Sequence, residues 1–148
     1  MPIADTVDNS AARSALGWTI LRLALALLIA AHGWGRLIAG GVVPFGQWLD
    51  GVGFPAGFAI AVSITALEII GTVLLALRRL VLAVALALSL LYAVGIVLVH
   101  APAGWFVVGL GRNGAEYSVL LIVCLLCVGL QERRSSRPLV ADRPHKDR

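Results

Sequence analysis

The sequence predicts an all-α fold, an integral membrane four-helix bundle. Three observations lead there. Apolar residues (AVILMFWYC) make up 59% of the 148 residues, where ~45–50% is usual even with glycine counted. Charged residues make up only 14%, against a usual ~25%. The apolar residues also gather into four runs, at about 16–38, 56–77, 80–99 and 114–130. Each run is long enough for a hydrocarbon core of ~30 Å at 1.5 Å rise per residue. A soluble domain of this size needs more polar surface than this chain has. Its hydrophobicity is too high for disorder. Two Cys are too few for a disulfide scaffold.

Residues 1–15 are small and polar, with Asp5, Asp8 and Arg13. They read as a short tail on the cytoplasmic side. Two Asp, one base and no clear cleavage site argue against a signal peptide. The membrane domain is expected at 16–130, and a basic cytoplasmic tail at 131–148. Within the domain each run must satisfy its own backbone, because lipid offers no hydrogen bonds, so each becomes a helix.

The connections carry their own signals. Residues 40–55 (GGVVPFGQWLDGVGFP) are rich in Gly and Pro, with Phe45 and Trp48 as interfacial aromatics. Arg78 and Arg79 form a two-residue turn, so the second and third runs make an antiparallel hairpin. Residues 101–113 (APAGWFVVGLGRN) are apolar but broken by Pro102 and several Gly. They read as a surface-hugging or re-entrant segment, with Trp105 and Phe106 at headgroup level.

Charge gives the orientation. Eleven of the 12 basic residues are Arg. Six basic residues close the chain: Arg133, Arg134, Arg137, Arg143, Lys146 and Arg148. Short cytoplasmic segments carry excess Lys and Arg, so both termini and the Arg78–Arg79 turn are expected in the cytoplasm. The net charge of +4 does not imply nucleic acid. That partner needs a folded basic face, and the bases here lie at ends and turns.

A few ionisable residues lie inside the runs, where each costs a few kcal/mol and usually has a partner. Arg22, His32 and Arg36 fall within an arc of about 80° on an ideal helix, with Trp18 and Gly33 on the same side. The plain reading is that both Arg snorkel to the interfaces. Glu68 is near the middle of the second run and cannot snorkel far. By depth it lies ~13 Å, and Arg22 ~7 Å, from the inner boundary. An Arg22–Glu68 pair is therefore expected, either as a structural pair or as a proton or ligand site. Nearer the outer boundary come His32, His100 and Glu116, with Arg36, Arg112 and Tyr117 at a similar level. Two His and a carboxylate can relay protons, but their spacing is not a metal motif and no metal is expected. A His at a helix end is usually an interfacial residue, and Glu116 suits a helix N-terminus on dipole grounds alone. Cys124 and Cys127 lie in the inner half of the fourth run, where apolar burial keeps a thiol inert.

These residues together resemble the DoxX family of small four-span bacterial membrane proteins. The resemblance covers about 20–129. It rests on Arg22, the element His32-Gly33-Trp34-Gly35-Arg36-Leu37, Gly53-Phe54-Pro55, Glu68 with Gly71, and 111–117 (GRNGAEY). Arg36 stands where the family commonly has Lys, and Ala76 where Gly often ends the second span. Gly129-Leu130-Gln131-Glu132 replaces a Gly-Pro-Gly and Asp element. The resemblance implies a multi-pass protein of the bacterial cytoplasmic membrane. It also implies Arg22, His32, Glu68 and Glu116 as the functional set; Arg36, His100 and Tyr117, placed near them by depth alone, are secondary. Relatives include membrane subunits linked to thiosulfate:quinone oxidoreduction and to oxidative-stress and sulfur-handling enzymes.

Three functions are therefore expected to compete. The first is the membrane subunit of a redox complex, binding a quinone and a soluble redox enzyme, with no intrinsic cofactor. The second is a small proton-coupled transporter, as a homo-oligomer. The third is a scaffold without catalytic activity.

Overall fold

The computed structural model describes residues 3–135, with side chains from 9 to 132. The end of the basic tail expected at 131–148 falls outside the described residues. Among the described residues four long helices and one short one make up the fold: α1 (Ile3–Ile38), α2 (Val42–Gly51), α3 (Gly57–Ala76), α4 (Val81–Ala103) and α5 (Glu116–Ser135). Stretches of α1, α3 and α4 are long and apolar enough to cross a membrane. Helix α5 keeps its charges at its ends, with Glu116 at the start and Glu132 in the last turns. The protein is an all-helical membrane bundle.

Two segments differ from their sequence-level reading. Helix α1 starts at Ile3, so 3–15 continue the first span as helix where a tail was expected. The Gly-rich 40–55 connection contains helix α2. Its Gly46 and Gly57 of α3 touch backbone to backbone. A Cβ on Gly57 would stand within 3 Å of Asp50 Oδ1, and one on Gly46 would stand 2.7 Å from Phe58 Cα. Asp50 uses that proximity, and its Oδ1 accepts a 2.7 Å hydrogen bond from Gly57 N. The side chain thus caps the first turn of α3, where backbone N–H groups lack helical partners and a negative charge meets the positive end of the dipole.

Helices α3 and α4 form the expected hairpin. Arg78 adopts a left-handed φ of 57° at the turn, and Arg79 N bonds back to Leu74 O. The turn defines what is here termed the inner end of the bundle. Arg78 pairs with Glu132 of α5 at 2.9 Å, which brings the end of α5 to the same level.

Packing is unequal along the bundle axis. The buried core comprises Leu25, Ala26 and Ile29 of α1, Leu75 of α3, Val81, Val84, Ala85 and Leu88 of α4, and Leu121, Leu125 and Val128 of α5. These residues lie in the inner half and around mid-depth. Gly129 lets α5 close on Leu82 and Ala85, and a Cβ on Gly71 would stand 3.4 Å from Val84 Cγ1 across the hairpin. Toward the outer end α3 and α4 leave a cavity between them. The exposed apolar residues, such as Leu27, Ile70, Leu90 and Val97, form the surface that meets lipid.

Two stretches of π-helix interrupt the spans, at Leu67–Gly71 in α3 and Ile96–His100 in α4. Thr72 Oγ1, just past the first stretch, donates to Glu68 O within it at 2.6 Å. Such segments re-aim side chains and recur at functional sites.

Candidate functional site

Glu68 is only 3% exposed and sits inside the π-helical stretch of α3. Its Oε2 lies 2.5 Å from Nη1 of Arg36. The same Nη1 lies 3.1 Å from Thr65 Oγ1, which donates in turn to Ala61 O. Phe45 of α2 covers the guanidinium, with its ring centroid 4.7 Å away. Trp48 stacks on Phe45 at 6.0 Å. The charge is thus held by a carboxylate on one side and an aromatic face on the other.

The expected partner was Arg22, and the structure corrects this. Helices α1 and α3 are antiparallel, with Gly33 against Thr65, Glu68 and Ile69. Arg22 lies eleven positions below Gly33 and meets Leu75 and Ala76, about 12 Å further along α3 from Glu68. No Arg side chain covers that distance. Depth counted from the start of the apolar run does not set the register, because α1 runs through residue 16 as continuous helix. Arg22, 7% exposed, instead donates Nη1 to Leu75 O at 2.8 Å and to Ala76 O. It caps the last carbonyls of α3, Leu75 O beside the backbone bond from Arg78 N, and Ala76 O. Arg36 does not snorkel outward, because Glu68 and Phe45 draw it back along α1.

The ion pair lines a cavity of about 870 Å³ in the outer half. His32, His100 and Tyr117 also line it. The walls are mainly apolar, from Leu67 and Ile64 of α3 to Leu91 and Leu98 of α4. Ser63, Leu90 and Val94 belong to its lining and are exposed, so the cavity opens sideways between α3 and α4. At that depth the surroundings are hydrocarbon. Tyr92 lines the cavity too, and among the described residues its Oη, like Ser89 Oγ, is buried without a hydrogen-bond partner.

Two members of the expected set stand apart. Arg22 is at the inner end, in a separate small pocket. Glu116 does not line the cavity. Its Oε1 accepts from Val107 N at 2.9 Å and so holds the loop before α5. That loop caps α5 with its own backbone, through Ala115 N to Gly104 O and Glu116 N to Trp105 O. His100 bonds through Nδ1 to Asn113 O at 2.7 Å. Among the described residues no three His, Cys, Asp or Glu side chains converge as a metal site. Cys124 packs against the core and Cys127 is exposed on α5.

Sequence reasoning missed Tyr92, Thr65 and the role of Phe45. Tyr92 had a readable signal, as a hydroxyl-bearing residue in a span without charges. The Thr65 contact arises only when α1 packs on α3, and the Phe45 contact only when α2 folds back along α3.

A family model, DoxX, matches residues 17–101. The chain belongs to the DoxX family. The match takes in α3, most of α1 and nearly all of α4, with Arg22, His32, Arg36 and Glu68. The 111–117 element and α5 lie beyond it. Searches of curated proteins and of solved structures find no match. The family match and the apolar helices together make this DoxX protein a membrane protein.

Proposed function

We propose that this DoxX protein is the membrane subunit of a redox complex and binds the head group of a lipid-soluble quinone in the outer cavity. The observation that carries this reading is the buried Tyr92 hydroxyl, which lacks a partner in an apolar cavity shared with the Arg36–Glu68 pair. A buried hydroxyl left unpaired costs about 1–3 kcal/mol. A ligand carbonyl would remove that cost. The apolar walls suit a lipid-soluble ring, and the lateral opening suits a long isoprenoid tail. Ligand sites of this kind are mostly apolar with a few placed polar groups. Tyr92 would donate to a ring oxygen, and Arg36 would orient the ring while Glu68 balances its charge. Bound there, a quinone would supply electron acceptance, with the electrons delivered by a soluble redox enzyme. We place both termini and the Arg78–Arg79 turn in the cytoplasm of a bacterial cell by the positive-inside rule, so the cavity faces the outer leaflet.

The test uses the full chain in nanodiscs, with Trp18, Trp34 and Trp105 changed to Phe. Trp48 then reports on the cavity. A short-chain ubiquinone analogue is expected to quench it saturably, and Tyr92→Phe to weaken binding about three- to tenfold. Linear quenching that Tyr92→Phe leaves unchanged defeats the reading. Glu68 in a cavity also suits a proton-coupled transporter, assembled as a homo-oligomer. In that case Glu68→Gln abolishes pH-driven flux in liposomes while quinone has no saturable effect. A scaffold shows neither behaviour.

A further inference from the structure

The inner end holds a second, smaller pocket of about 110 Å³. Trp18, Thr19 and Arg22 of α1 line it, with Arg78 from the hairpin turn and Gln131 and Glu132 from α5. We propose that it binds a phosphate group, with Arg22 as the central ligand.

The argument starts from the charge on Arg22. Arg22 is buried as a residue, and its Nη1 contacts are carbonyl oxygens of Leu75 and Ala76. Carbonyl dipoles satisfy hydrogen bonds but do not neutralise a cation. Among the described residues no carboxylate pairs with it, since Glu132 is engaged in a two-oxygen contact by Arg78. A buried cation without a counter-ion is costly at the edge of a membrane. Nη1 spends its protons on the carbonyls, which leaves Nε and Nη2 as the donors available to the pocket. Arginine presents those donors as a planar fork that matches phosphate oxygens.

Position supports the same ligand. The pocket lies beside Arg78 and Arg79, at headgroup depth. Basic pockets between spans on that side suit anionic lipid heads. The apolar body of Trp18 borders the same space and suits the glycerol region. A phosphodiester of an anionic phospholipid and free inorganic phosphate share this chemistry, and the experiment separates them.

Full-length protein in mild detergent is examined by native mass spectrometry with phosphatidylglycerol or phosphatidylethanolamine. The expected result is preferential retention of phosphatidylglycerol. Arg22→Gln should weaken it about tenfold or more, the scale of a charge-assisted hydrogen bond. That variant also uncaps α3, so the decisive variant is Glu132→Gln. It removes the negative wall of the pocket, frees Arg78 and should tighten retention. Displacement of the lipid by millimolar inorganic phosphate assigns the site to the free anion, and lack of displacement assigns it to the lipid. Equal retention of the two lipids overturns the proposal. So does unchanged retention in Glu132→Gln, whatever Arg22→Gln does.

Discussion

Gly33 lies directly against Glu68: a Cβ built on the glycine would stand 2.9 Å from the glutamate Cβ and 2.9 Å from Cγ1 of Ile69. The absent side chain is what lets α1 and α3 approach at the depth of the ion pair. Small residues serve this purpose between membrane helices. Gly33→Val should therefore cost about 1–3 kcal/mol by overpacking. Gly35→Val, where nothing lies within 4 Å, should be close to neutral. Thermal unfolding of the two variants in one detergent checks the difference.

In the Arg36–Glu68 pair the carboxylate is buried and the guanidinium half-buried, whereas Arg78–Glu132 is largely exposed. Removing one partner of a buried pair leaves an uncompensated charge and costs about 3–5 kcal/mol. Arg36→Met should fall in that range, and the double variant Arg36→Met with Glu68→Leu should recover a large part of the loss. Arg78→Gln should cost at most about 1 kcal/mol and become milder in salt. Denaturant titration of the purified variants reads both effects.

Tyr92→Phe should have opposite effects on stability and binding. It deletes a buried hydroxyl that has no partner among the described residues. The ligand-free protein should gain about 1–3 kcal/mol, while affinity for the quinone analogue falls. Melting curves taken without and with the analogue test both halves. A loss of stability in the ligand-free state would mean that the hydroxyl has a partner in the membrane.

Asp50→Ala should destabilise by about 0.5–2 kcal/mol, the usual cost of a lost helix cap. The loss should concentrate at the start of α3. Hydrogen exchange at Gly57 and its neighbours would register it before global melting does.

The sequence carried the fold because lipid leaves few options. Four apolar runs, a two-arginine turn and internal charges are enough to specify a membrane hairpin bundle. It carried the site less well. Glu68 was legible as a charge that could not reach water. Its partner was not, because pairing depends on helix register, and register depends on Gly33 and on where α1 begins. Glu116 looked like Glu68 in sequence, an acid near an apolar run. Its contact with Val107 depends on the path of a loop that no periodicity encodes.

The sideways opening between α3 and α4 changes what concentration means for this protein. A molecule entering there comes from the hydrocarbon, so occupancy follows its mole fraction among lipids. Diluting the sample with buffer at constant lipid-to-protein ratio should leave occupancy unchanged. Adding empty vesicles should deplete it. Two compounds of equal intrinsic fit would then differ in apparent potency by their partition coefficients alone.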